Sequence, residues 1–243
     1  MYSRDSLPLA ISHRGLSSVA PENTIPAFLA AIEAGAWGIE LDVHGSADDV
    51  LVVHHDASIP IDGKPVPFLH LDSKDIAKIA LEGDTRIPTL DDTLAAIGSR
   101  ANVFIEVKAT GLESSVARCL RRHMSNIERY SVHAFDHRIV KGVLELIPSV
   151  RTGALQVSYL IDSATALRKA GATDLWQHAD FIDARLVTDV HAAGGIVVAW
   201  TPNDEAQWEA LSRLDVDAVC TDRVDAFVEW TRAKTEATGS LPT

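Results

Sequence analysis

Cysteine, positive charge and long apolar runs are all scarce in this chain, and each scarcity removes a class of function. The two cysteines, Cys119 and Cys220, stand far apart without a CxxC pair or zinc-like spacing. Both fall in apolar periodic segments, which reads as buried small hydrophobes rather than a disulfide or a nucleophile. Acidic residues outnumber Lys and Arg by 34 to 22, a formal net charge of −12. That balance excludes a broad nucleic-acid-binding surface and gives no attraction to an anionic membrane. No stretch approaches the roughly 18 consecutive apolar residues of a membrane span, so no stable membrane insertion is expected. The polar start, Met1 to Leu7, lacks the apolar run of a signal peptide, which predicts a cytoplasmic location. No GxGxxG opens the first helix, which weighs against an open dinucleotide-binding sheet.

What is present is core-forming material, 47% hydrophobic over 243 residues, arranged as alternating strand and helix patterns. Strands are predicted at Pro8–His13, Gly38–Val43, Asn102–Lys108, Arg129–Phe135, Val150–Leu155, Asp180–Ala184, Gly195–Thr201 and Ala218–Thr221. Eight strands, each followed by a helical segment, predict an α/β (β/α)8 barrel, the TIM-barrel architecture. The first helix is capped by Asn23 or Thr24, turns Ile25, Phe28, Leu29 and Ile32 inward and ends at Gly35. Asp136 caps a later helix with Ile139, Val143 and Leu146 inward. Another begins near Asn203 and buries Trp208, Leu211 and Leu214. Residues 49–88 break the repeat as a short insertion after the second strand, with a strand-like Val50–His54, several prolines and a short helix around Ile76 and Ile79. Residues 1–230 therefore read as one barrel domain, and 231–243 as a polar, frayed tail.

The densest chemistry lies at Ile39-Glu40-Leu41-Asp42-Val43. Side chains alternate across a strand, so Glu40 and Asp42 share a face. Two like charges buried side by side are costly unless a cation sits between them. His13 and Arg14 end the first strand, His55 follows the insertion's strand, and Glu106 and Lys108 share a face of the third barrel strand. Trp200 ends the seventh. In a parallel barrel these strand ends meet at one mouth. Carboxylates without a cysteine ligand suit a hard divalent cation, Mg²⁺ or Ca²⁺, with Mn²⁺ possible. Three carboxylates and one such cation leave a net charge of about −1, which Arg14 and Lys108 turn into about +1, matching a singly charged phosphodiester. Two histidines can serve as general acid and base near neutral pH.

The same residues carry a family resemblance. His13-Arg14-Gly15, Ala20-Pro21-Glu22-Asn23-Thr24, Ile39-Glu40-Leu41-Asp42-Val43, His55-Asp56, Ile105-Glu106-Val107-Lys108, Phe135-Asp136-His137, Trp200-Thr201 with Asn203, and Thr221-Asp222-Arg223 resemble the signature of the glycerophosphodiester phosphodiesterase family. They run in order from about Leu9 to Phe227. The resemblance implies a TIM barrel whose metal is held by Glu40, Asp42 and Glu106. His13 and His55 are then the acid/base pair, Arg14 and Lys108 contact the phosphate, and Glu22, Asn23 and Trp200 stand at or near the substrate. The implied reaction is hydrolysis of a small-molecule glycerophosphodiester to sn-glycerol 3-phosphate and an alcohol. It is compatible with attack by the glycerol 2-hydroxyl or by water, and with roles in phospholipid salvage or glycerol phosphate supply. Some positions depart from the family pattern. Ser58-Ile59-Pro60 replaces an arginine- and threonine-containing run, and His133-Ala134-Phe135 stands where relatives often have serines. Two other functions stay open at this point: a lysophospholipase D-like or sphingomyelinase D-like enzyme, and a barrel that binds a phosphorylated ligand without turnover.

Overall fold

The computed structural model describes residues 7–238, so most of the polar N-terminal stretch and the last residues of the tail lie outside it. In chain order the strands are β1 (Leu9–His13), β2 (Gly38–Gly45), β3 (Leu51–Val53), β4 (Ser58–Ile61), β5 (Lys64–Pro67), β6 (Asn102–Val107), β7 (Tyr130–Ala134), β8 (Arg151–Gln156), β9 (Asp174–His178), β10 (Ile196–Trp200) and β11 (Ala218–Thr221). The helices are α1 (Ile25–Glu33), α2 (Ser73–Ile76), α3 (Leu90–Ile97), α4 (Glu113–Arg122), α5 (His137–Leu146), α6 (Thr165–Ala170), α7 (Ala184–Ala192), α8 (Glu205–Ser212) and α9 (Val224–Thr238). Strands β1, β2 and β6 to β11 pair in parallel in chain order. β1 pairs with both β2 (Ser12 with Ile39) and β11 (Ser12 with Thr221), which closes the sheet into an eight-stranded barrel.

Period-two alternation sorts the barrel residues. Ile11, Phe104, Leu155, Trp176, Val198, Ala218 and Cys220 pack on one another as the apolar plug inside the barrel. Their neighbours Ile39, Leu41, Val103, Ile105, Val197 and Val219 face outward into the larger core under the helices. One strand position further along the inner face, the plug gives way to charge on β1, β2 and β6. This placement positions the site.

Capping sets where the helices start, on the same side as the strand C-termini. Thr24, Thr89, Asp136, Asp183 and Asp204 each accept a backbone N–H of the helix that follows. The insertion is tied to the barrel through β3, which runs antiparallel to β2 with Val43 opposite Val53. Its hairpin β4–β5 turns through Asp62 and Gly63 at φ 51° and 74°, the left-handed pair that such two-residue turns require. Val52, Ile59, Phe68, Ile76 and Ile87 give the insertion a small apolar core of its own.

Four expectations shift. The sixth barrel strand is Asp174–His178, not Asp180–Ala184. Its first residue is a buried aspartate held by Arg151 at 2.8 Å and by the Ser131 hydroxyl, so it does not show as an apolar start, whereas Asp183 is a helix cap. α1 buries Ala27, Phe28 and Ala31, with Gly15 of the preceding turn against Ala27, and leaves Ile25, Leu29 and Ile32 only partly covered. Leu146 is 39% exposed at the end of α5. The tail continues as helix past Thr231, anchored by Trp230, which stacks on Phe227. Both cysteines are free and buried.

Candidate active site

The β1–α1 turn is built for close approach. Arg14 adopts φ 58° and Gly15 φ 85°, and a Cβ on Gly15 would meet the Ala27 Cβ at 2.7 Å. The turn thereby brings the Arg14 amide to the Glu40 carboxylate at 3.2 Å and its Nε to Asp42 Oδ2 at 3.1 Å. Asn23, also left-handed at φ 58°, clamps Asp42 from both sides. Its Nδ2 donates to Oδ2 at 2.8 Å, and its Oδ1 accepts the Asp42 amide at 3.2 Å. Glu22 is solvent-facing and pairs with Arg14 at 3.2 Å. Lys108 bridges Asp42 Oδ1 at 3.2 Å and Glu106 Oε1 at 2.8 Å.

Glu40, Asp42 and Glu106 are all buried, and two cations face three carboxylates. The charge is distributed unevenly. Burial alone would raise the Asp42 carboxyl, but Lys108, Arg14 and the Asn23 amide outweigh it and hold it below the ordinary aspartate value. Glu40 is pushed well above the ordinary range by burial, then by the negative charge of Asp42 and Glu106. Glu106 is also raised, by burial that Lys108 only partly offsets. Glu40 and Glu106 thus resist ionisation even with Lys108 2.8 Å from Glu106, so one more positive charge beside them would stabilise their anionic forms, and hard oxygen donors fit a divalent cation.

A histidine completes the group. Ligand atoms of Glu40, Glu106 and His133 lie within 4.8 Å of one another. His133 sits on β7 beside Glu106, 1% exposed, and its ring stacks flat on Trp176 at 4.2 Å. Gly153 leaves room for that stack, since a Cβ there would meet Trp176 at 2.8 Å and His133 at 3.1 Å. Burial lowers the His133 pKa to about 3, so the ring is neutral.

His13 is held from behind. Its Nδ1 meets Asp222 Oδ1 at 2.6 Å, while Nε2 stands 4.0 Å from Glu40 Oε2. Asp222 is fixed in turn by Asn203, whose Nδ2 donates at 2.6 Å and whose Oδ1 accepts the Asp222 amide and the Thr221 hydroxyl. The His13 hydrogen bond holds the Asp222 carboxyl below its usual value. His55 stands at the rim on the turn after β3, with Nδ1 at 2.9 Å from Asp56 and no ion pair to the buried carboxylates among the described residues. Its backbone carbonyl accepts His44 Nε2 at 3.0 Å, and the His54 amide donates to the Asp42 carbonyl, which ties the turn to β2.

The rest of the mouth is aromatic. Trp200, at the end of β10, meets Phe135 at 5.7 Å and His178 at 5.0 Å, both edge-on, and His178 contacts Phe181. Phe135 and Phe181 remain 49% and 42% exposed. The structure therefore gathers His13, Arg14, Glu22, Asn23, Glu40, Asp42, Glu106 and Lys108 into one network, sets Trp200 in the aromatic wall and leaves His55 at the edge. Sequence reasoning gave no role to His133, Asp222 or Asn203. All three do fall at the C-terminal end of a predicted strand or just after one, the position that could have drawn attention to them.

Comparison with known proteins places this geometry in context. Residues 13–226 match the model of the glycerophosphoryl diester phosphodiesterase family. A glycerophosphodiester phosphodiesterase of Caldanaerobacter subterraneus subsp. tengcongensis is 29% identical over 239 residues, covering 92% of this chain and 98% of that protein. The crystal structure of a glycerophosphodiester phosphodiesterase from Agrobacterium tumefaciens superposes with a TM-score of 0.80 at 26% identity, covering 92% of this chain and all of that one. A phosphodiesterase of Oleispira antarctica, solved in complex with the product sn-glycerol-3-phosphate, gives a TM-score of 0.80 at 25% identity, covering 93% of this chain and 97% of that one.

Proposed function

This chain belongs to the glycerophosphoryl diester phosphodiesterase family, and we propose that it hydrolyses glycerophosphodiesters to sn-glycerol 3-phosphate and an alcohol at the barrel mouth. The observation that supports this most is the uneven charge: three buried carboxylates against two cations, beside a histidine backed by a carboxylate. Glu40, Asp42 and Glu106 are the residues that would hold a divalent cation, which when bound supplies positive charge to the phosphoryl oxygens. Mg²⁺ and Ca²⁺ are the ions an all-oxygen set favours, with Mn²⁺ next.

The chain's own residues do the rest. Arg14 and Lys108 present their charged ends at the carboxylates and are placed to neutralise the diester and the charge that grows in the transition state. Asp222 fixes the His13 ring with Nε2 toward the site and stabilises the imidazolium formed when His13 takes a proton. His13 and His55 are the acid/base pair. One removes the proton from the attacking hydroxyl, and the other delivers one to the departing alcohol oxygen. Asn23 holds Asp42 in place. Trp200 offers a flat apolar face to substrate carbon, continued by Phe135.

Release of glycerol 3-phosphate from glycerophosphocholine, glycerophosphoethanolamine and glycerophosphoglycerol tests the proposal, first in EDTA and then with Mg²⁺, Ca²⁺ or Mn²⁺ restored. Turnover that vanishes in EDTA and returns with the ion is expected. Turnover that persists in EDTA would remove the metal from the account. Turnover of lysophospholipids alone would reassign the substrate.

A further inference from the structure

We infer that His133 is a nitrogen ligand of the cation held at the barrel mouth, making the site a mixed nitrogen and oxygen site that ranks Mn²⁺ or Zn²⁺ above Ca²⁺. The inference rests on the proposed metal reading and adds a donor that this reading does not contain. Three observations carry it. The ring is 1% exposed and enters the cluster on the inner face of β7, level with Glu106 on the neighbouring strand. Its Nδ1 has no hydrogen-bond partner among the described residues, and its Nε2 stands 3.9 Å from Glu40 Oε1, beyond hydrogen-bond reach. Its plane is fixed by stacking on Trp176, with Gly153 clearing the space.

With no partner among the described residues to fix the tautomer at Nδ1, Nε2 is the ring nitrogen that faces Glu40, and the Trp176 stack holds it there rather than letting it turn away. A cation between Glu40, Glu106 and His133 would meet the two crowded carboxylates and the Nε2 lone pair together, all within 4.8 Å of one another. Asp42 is differently placed. Its Oδ2 accepts from Asn23 and faces Arg14, and its Oδ1 stands 3.2 Å from Lys108, so it remains in the set as the carboxylate that the protein's own cations hold in place. Imidazole selects against Ca²⁺, which prefers six to eight oxygens, and toward borderline ions.

Pulsed electron paramagnetic resonance on Mn²⁺-loaded full-length protein, beside calorimetric titrations with Mn²⁺, Zn²⁺ and Ca²⁺, tests this. Wild type should show histidine-nitrogen modulation that is lost in His133→Gln and kept in a His13→Gln/His55→Gln double variant. The same His133→Gln variant should bind Mn²⁺ about 10-fold or more weakly while Ca²⁺ changes less than about 3-fold. If His133→Gln does not fold, the double variant decides alone: modulation retained supports His133, and modulation lost overturns it. Mn²⁺ bound without nitrogen modulation in wild type overturns the inference and leaves the carboxylate site standing. Failure of wild type to bind any of the ions overturns both.

Discussion

Among the described residues, two clusters bring metal-ligand chemistry together at short range, and they differ in whether their charge is met. At the barrel mouth lie Glu40, Glu106 and His133. On the outer surface, between α3 and α4, lie Asp91, Cys119 and His123, and in each group the ligand atoms fall within 4.8 Å of one another. In the outer cluster Asp91 Oδ1 accepts Arg122 Nε at 2.9 Å and His123 Nε2 at 3.0 Å. Burial tends to raise the Asp91 carboxyl, but those two partners outweigh it and hold it low. Burial and Asp91 push the Cys119 thiol up to about 12, so it keeps its proton. That cluster is complete as a surface knot joining two helices. The inner one has carboxylates raised by burial and by neighbouring negative charge, and an imidazole whose Nδ1 has no hydrogen-bond partner among the described residues. Spacing identifies both; compensation separates a brace from a site that needs a cation.

The comparison can be broken by substitution, most forcefully at Glu40. Glu40→Gln should abolish stoichiometric cation binding and lower kcat/KM by about 10³-fold or more, since a bound metal contributes several kcal/mol to transition-state charge. The same variant in EDTA should melt at the wild-type temperature or a few degrees above it, because an unmet buried charge has gone. A lower melting temperature would mean that Glu40 is already satisfied. His13→Ala should cost about 10² to 10⁴ in kcat while cation affinity stays within about 3-fold, separating proton transfer from metal holding. Asp222→Asn should cost about 10- to 100-fold in kcat with KM little changed, since Asp222 acts through the His13 ring. Asp91→Asn should leave kcat/KM unchanged and lower stability by about 1 kcal/mol, a modest figure because the pair is half exposed, read as a melting shift of about 2–4 °C.

The same distinction between pattern and compensation governs what was legible from sequence. Seven of the eight barrel strands announce themselves by apolar alternation. The eighth, Asp174–His178, opens on a charge whose partner Arg151 is 23 residues away in sequence, so its burial cannot be seen locally. Glu40 and Asp42 were readable because a strand makes their shared face a matter of parity. Asp222 and Asn203 stood in the stretches that carry the resemblance, but their roles were hidden because their partners, His13 and each other, are brought together only by closure of the barrel, when β11 meets β1. His133 was hidden for a different reason. A histidine on a buried strand is ordinarily a satisfied core residue, and what distinguishes this one is an Nδ1 without a hydrogen-bond partner among the described residues and an Nε2 facing Glu40. The extended C-terminal helix was missed because its later turns are polar, while the apolar residues that anchor it, Val224, Phe227, Val228 and Trp230, all lie in its first half.

Counting bound cations tests the central claim most directly. Equilibrium dialysis of the metal-stripped protein against Mn²⁺ should give one ion per chain for wild type and for Asp91→Asn, and none for Glu40→Gln. One ion retained in Glu40→Gln but lost in Asp91→Asn would place the cation in the outer cluster and contradict the account.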